Sequence, residues 1–134
     1  MDMPKEIMER LEAMDKAPFA VLCGIELISI GPYTARARLP LDGRQNALGA
    51  MHGGALFALA DQVFALAVNQ GKDVYVAMNA SIHYIKPAID TVEAEAKLIG
   101  KSGRTALFEV KIYQGDDLVA IFQATGYRLS KKSA

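Results

Sequence analysis

The stretch "MHGGALFALADQVFALAV", Met51 to Val68, constrains the fold more than any other. From Ala55 onward it is almost unbroken apolar sequence. Leu56, Phe57, Leu59, Val63, Phe64, Leu66 and Val68 cover nearly every direction around a helix. A helix that is apolar on all sides has to be enclosed by the rest of the chain. Gly71 stands in a usual helix-ending position, so the pattern predicts a helix from about Gly53 to Gln70. One full charge, Asp61, interrupts the run. Burying a carboxylate is costly unless it is paired or protonated, so its presence needs a reason.

The flanking sequence supplies the enclosure. Pro4 opens a short helix in which Ile7, Met8, Leu11 and Met14 recur at helical spacing, and Pro18 ends that region. Two strand-like runs follow, "GIELISI" and "YTARARLP", separated by Gly31-Pro32. In the second, Tyr33, Ala35, Ala37 and Leu39 alternate with Thr34, Arg36 and Arg38. "LDGRQNALGA" reads as loop. Beyond Gly71, "DVYVAMNASIHYIKP" is a long or bulged strand ending at Pro87. "TVEAEAKLI", "RTALFEVKIY" and "LVAIFQATGYRL" alternate in turn, joined by "GKSG" and "QGDD". Four consecutive strands on short connections predict an antiparallel meander with one solvated face. Only the long helix can cover the other face. The expected class is α+β: one domain over residues 1–134, an antiparallel sheet wrapped around one central helix.

Composition narrows the function. A chain of 134 residues, 51% hydrophobic and 22% charged, suits one globular core. Fifteen basic residues balance fifteen acidic ones, which argues against a broad nucleic-acid footprint. The single cysteine, Cys23, excludes an internal disulfide and fits a reducing compartment; it is expected to be a small buried apolar residue. The first residues lack the apolar core of a signal peptide, and no uncharged run approaches the roughly 20 residues of a membrane span. His52 and His83 stand 31 positions apart, which is no zinc spacing. The expectation is a soluble cytoplasmic protein with no metal, no cofactor, no nucleic acid and no membrane partner.

At the start of the central helix, Gly53 and Gly54 leave backbone N–H groups pointing outward, where the helix dipole favours negative charge or a polarised carbonyl oxygen. A glycine pair before a helix is also an ordinary loop feature. Asp61, in turn, could be a buried acid bonded to backbone or to a distant Arg104. The helix itself offers it no Lys or Arg, and the better reading is a general base or nucleophile in a dry site. Gly53 and Asp61 lie eight positions apart, about 12 Å along a helix axis. A nucleophile and an oxyanion donor both need to be about 3 Å from the reacting carbonyl. One helix cannot supply both, whereas two antiparallel copies can. If both residues act, the sites lie at a two-fold interface.

These residues bear a resemblance. "NALGAMHGGALFALAD" resembles the hotdog-fold thioesterases, in particular the phenylacetate-pathway (PaaI-like) branch of the 4-hydroxybenzoyl-CoA thioesterase superfamily. The matching positions are Asn46, His52-Gly53-Gly54 and Asp61, and the order of helices and strands agrees over essentially the whole chain. The resemblance implies hydrolysis of an acyl-CoA thioester to a free acid and CoA, in a homodimer with shared sites that pairs further into a homotetramer. It implies that the Gly53 N–H, with a possible contribution from Gly54, polarises the thioester carbonyl. Asp61 of a second subunit is then nucleophile or general base, Asn46 orients water or thioester, and His52 positions the loop and helps bind the thioester. Some relatives add a Ser or Thr on the strand after the helix. Ala77 falls at that position here, leaving Asn79 or Ser81 as substitutes. Phe57 and Phe64 are candidates to line the acyl pocket, and Lys86, Lys101 and Arg104 to meet the CoA phosphates. Two rivals remain: a non-catalytic acyl-CoA binder, which gains nothing from Asp61, and a hotdog hydratase or dehydratase. The latter pattern resembles Asp followed five positions later by His, where this chain has Leu66.

Overall fold

A computed structural model describes residues 3–129. Helix α1 (Lys5–Asp15) and the short helix α2 (Pro18–Cys23) precede strands β1 (Glu26–Gly31) and β2 (Thr34–Leu39). The long helix α3 (Gly53–Val68) follows, then β3 (Tyr75–Tyr84), β4 (Val92–Ser102), β5 (Thr105–Gln114) and β6 (Asp117–Arg128). The six strands form one antiparallel sheet in the order β1-β2-β4-β5-β6-β3. It curves around α3, as the alternation required.

The inward positions were legible from the sequence. Ala35, Ala37 and Leu39 of β2, Val92, Ala94 and Ala96 of β4, and Ala106, Phe108, Val110 and Ile112 of β5 are all buried. They meet Leu56, Leu59, Ala60, Val63, Phe64, Leu66, Ala67 and Val68 of α3 in one core. Small alanines on β2 and β4 let the helix lie close, while Phe64 stacks edge-on to Phe108 at 5.7 Å between ring centroids. Each large side chain buried in this way contributes about 1.5–3 kcal/mol. Among the described residues, no helix is long and apolar enough to cross a membrane.

Several expectations are corrected. Pro18 does not merely end a helix; it occupies the first turn of a second one, where its missing N–H costs nothing. Strand β3 is not the first strand of a four-strand meander. Only β4, β5 and β6 form a meander, because β2 takes the edge of β4 and residues 85–91 carry the chain across from β3, which pairs with β6 and forms a sheet edge. Tyr33 lies in the β1–β2 turn at φ 52° rather than in the strand, with its N–H held by Gln70 Oε1 at 2.8 Å. Met8 is exposed although Ile7 and Leu11 are buried. Cys23 is half-buried. Finally, α3 ends at Val68, and Asn69 rather than a left-handed Gly71 closes it.

Candidate active site

Helix α3 begins with a self-made cap. The His52 ring accepts the Gly54 N–H at Nδ1 (2.9 Å), satisfying one of the amides that a helix start leaves open. In the neutral ring the proton therefore sits on Nε2. The loop before it is held from both sides: Met51 N–H donates to Ala88 O and His52 N–H to Arg44 O, each at 2.8 Å. Arg44 is itself anchored, its guanidinium donating to the carbonyls of Cys23 (2.6 Å), Asp42 (2.7 Å) and Pro40 (3.2 Å). The Gly54 N–H is thus engaged, which removes it as a second donor to a substrate. The Gly53 N–H has no partner among the described residues.

Asn46 is oriented by the same loop. Its Oδ1 accepts from Leu48 N–H (2.8 Å) and Ala50 N–H (3.2 Å), and its Nδ2 group has no partner among the described residues. Asn46 and Gly53 line a mostly apolar cavity of about 470 Å³ together with Leu56, Tyr84 and Lys86. The Tyr84 hydroxyl donates to Gly53 O at 2.9 Å. A Cβ on residue 53 would lie 3.1 Å from that ring, so a glycine is what this approach permits. A larger groove, about 740 Å³ between α1 and β1, contains none of these residues.

Asp61 departs from the sequence expectation in one respect. It is exposed in a single chain. No hydrogen bond or ion pair holds it among the described residues, and Arg104 is not its partner. Its surroundings still desolvate the carboxylate in part, which raises its pKa above the ordinary 3.8.

The remaining candidates divide. Lys86 lies at the cavity, with Nζ 3.5 Å from the Asp117 carboxylate. Lys101 and Arg104 do not join it. Lys101 sits over the Tyr75 ring beside Val68, and Arg104 donates to Arg128 O at 2.9 Å with its guanidinium over Tyr127. That is the far end of α3, about 20 Å from Gly53 of the same chain. Asn79 and Ser81 pair with Thr125 and Gln123 on the outer face of β6, whereas Ala80, Ile82 and Tyr84 pair with the buried Ala124, Phe122 and Ala120. Neither polar residue faces the helix, so neither replaces a strand Ser or Thr there. Phe64 is core, 2% exposed, and does not line the cavity. Phe57 is half-buried against Phe122. Sequence reasoning missed Arg44, which carries no local signature, and Tyr84, whose only sign was its shared phase with Ala80 and Ile82.

Comparison with known proteins bears on the family and the fold. A profile of the family described as Thioesterase superfamily matches residues 48–121, the span from the loop before His52 into β6. A putative esterase of Archaeoglobus fulgidus is 39% identical over 90 residues, covering 64% of this chain, which spans only 58% of that protein. The acyl-coenzyme A thioesterase PaaI of Escherichia coli is 30% identical over 110 residues, 79% of each chain. The solved structure of the E. coli PaaI protein from the phenylacetic acid degradation operon superposes with a TM-score of 0.85 at 27% identity, covering 96% of this chain and 97% of that one. The chain therefore belongs to the Thioesterase superfamily and has the hotdog fold of its members.

Proposed function

We propose that this thioesterase hydrolyses an acyl-CoA, aromatic or short to medium in chain length, to the free acid and CoA at a site built from two copies of the chain. The observation that carries the reading is the unused Gly53 N–H at the mouth of an apolar cavity, on the positive end of a 16-residue helix. That amide donates to the thioester oxygen as it becomes an oxyanion, and Asn46 Nδ2 is the second donor within the same cavity. Asp61 of the second copy acts as its carboxylate, either attacking the carbonyl carbon or taking a proton from the attacking water. The C–S bond then breaks and the thiolate leaves, taking up a proton as CoA; on the attacking route water next hydrolyses the acyl–Asp61 anhydride, releasing the free acid and restoring the carboxylate. The name of the E. coli relative supports the substrate class.

A second copy is needed because Gly53 and Asp61 are about 12 Å apart on one helix. Two features support its position. Asp61 is exposed in a single chain, and the edge strand β3 exposes Val76 and Met78 along its ten residues. Long exposed edges invite pairing with another strand. Two-fold pairing of β3 edges runs the helices antiparallel and brings the Tyr75 end of one copy to the Tyr84 end of the other. Lys101 and Arg104 then share an end of the assembly with the second copy's Gly53, where they are suited to CoA phosphates. Further pairing of such dimers leaves Phe19 and Leu22 of α2 as available apolar surface. The single Cys23 fits a reducing compartment such as the cytoplasm.

The test is release of free thiol from a panel of aromatic and aliphatic acyl-CoAs. Turnover of at least one ester is expected, with Asp61→Asn reducing kcat by about 10³-fold or more while binding and fold persist. Full activity in that variant, or an active monomer in sedimentation, overturns the shared site.

A further inference from the structure

The peptide unit between Gly53 and Gly54 is held at both of its polar atoms by side chains from different parts of the chain. Its carbonyl oxygen accepts the Tyr84 hydroxyl at 2.9 Å, and its N–H donates to His52 Nδ1 at 2.9 Å. Two consecutive glycines are the least restrained backbone a helix can begin with, since neither has a Cβ to limit its torsions. A donor N–H one bond from that freedom would swing unless something fixed it. Oxyanion stabilisation depends on donors that are already aimed, because reorienting them during the reaction cancels the gain. On the carbonyl side, the turn of α3 supplies the intrahelical Phe57 N–H, and no side chain but Tyr84 reaches that oxygen among the described residues. Tyr84 holds it, with its ring 3.1 Å from where a Gly53 Cβ would be and its strand position fixed by pairing with Ala120.

We propose that Tyr84 is a positioning residue of this site: with His52 it clamps the Gly53–Gly54 peptide from the opposite side and so holds the adjacent Gly53 N–H on the thioester carbonyl. The inference rests on the thioesterase reading above and adds a residue to it. The Tyr84 hydroxyl reaches the donor's own peptide chain rather than substrate, so its loss should appear in the chemical step and not in binding.

Tyr84→Phe keeps the ring and removes only the hydroxyl. With a turned-over acyl-CoA, kcat is expected to fall about 5- to 30-fold while KM changes less than about twofold. Amide hydrogen exchange supplies a readout independent of turnover: the Gly54 N–H should exchange several-fold faster in Tyr84→Phe, with β-strand amides elsewhere unchanged. His52→Ala and the double variant complete a cycle. Because both side chains act on one peptide, the double variant should lose much less than the product of the single losses. Unchanged kcat in Tyr84→Phe overturns the proposal, as does a loss expressed wholly in KM or one that multiplies independently with His52→Ala. If the wild-type protein turns over no acyl-CoA, the thioesterase reading fails by that result alone. Gly54 exchange then still decides whether the clamp exists, and unaltered exchange removes it.

Discussion

The two ends of α3 are finished in opposite ways. At the C-terminal end, side chains close the carbonyls that no further turn can reach. Asn69, 1% exposed, donates Nδ2 to Ala65 O (3.0 Å) and Tyr75 O (3.2 Å) and accepts Tyr75 N–H at Oδ1 (2.8 Å). Gln70 donates to Leu66 O and Thr34 O, and the Arg10 guanidinium gathers the carbonyls of Asn69, Gly71, Lys72 and Asp73. At the N-terminal end there are two glycines, one capping ring and an amide without a partner among the described residues. One end is built for stability. The other retains an unmet donor, and an unmet donor on a dipole is what a developing oxyanion requires.

The contrast breaks if the two ends respond alike to mutation. Asn69→Ala is expected to lower stability by about 3 kcal/mol, because it strands the buried Tyr75 N–H and takes the side-chain donor from Tyr75 O and from Ala65 O, the latter keeping the backbone N–H of residue 69. Activity per folded molecule should stay within about twofold, and urea midpoints beside rates below the transition decide it. Gly53→Ala should do the reverse. Its Cβ meets the Tyr84 ring at 3.1 Å and displaces the donor, for a loss of about 10²-fold in kcat. Its unfolding free energy should move by less than about 1 kcal/mol, since alanine also favours the helix. A Gly53→Ala protein that unfolds readily but keeps its kcat would assign that glycine to packing alone.

A finer version concerns Arg10. Among the described residues it is the only side chain through which α1 reaches the carbonyls after α3, and it makes four bonds of 2.7–3.5 Å. Arg10→Ala should cost about 1–2 kcal/mol, less than Asn69→Ala because the site is only part-buried and water replaces some of the bonds. A loss as large as that of Asn69→Ala would mean that α1 detaches from α3, which hydrogen exchange of the Gln62 side-chain amide, bonded to Met14 O, would report.

What the sequence disclosed follows the same division. Alternation in β2, β4 and β5 and the apolar run of α3 are periodic, so their buried faces could be counted off directly. The position of β3 could not. Its order in the sheet depends on which edge β2 has already taken, a long-range choice that leaves no mark on "DVYVAMNASIHYIKP". The bulge between Ala77 and Asn79 shifts the inward phase by one residue, which is why Asn79 and Ser81 read as site candidates but face outward. Gly53 and Asp61 were legible because each breaks a local rule: a glycine pair where a helix begins, an acid where apolar residues prevail. Tyr84 and Arg44 break none. Their roles arise only where strand, loop and helix start come together.

The effect of Asp61 on stability is the smallest expected and the most discriminating one. Its pKa in the folded protein is raised above 3.8 by desolvation, so the folded state holds that proton more tightly than the unfolded chain does. The stabilisation is fully present below 3.8 and disappears as pH rises through the folded value; at neutral pH the ionised group is a mild burden on the fold. Asp61→Asn should therefore be slightly more stable than the native sequence at pH 7, with the difference shrinking as the pH falls below 3.8. Catalysis has the opposite sign, because only the carboxylate can attack or accept a proton. The acid limb of kcat/KM should lie above 3.8 and belong to this residue. If the second copy covers Asp61, dimer formation desolvates it further and moves that limb upward. Diluting the protein below its dimer dissociation constant should then remove activity and reduce the stability difference together. A limb that stays put while activity falls in proportion to monomer would separate Asp61 from the interface.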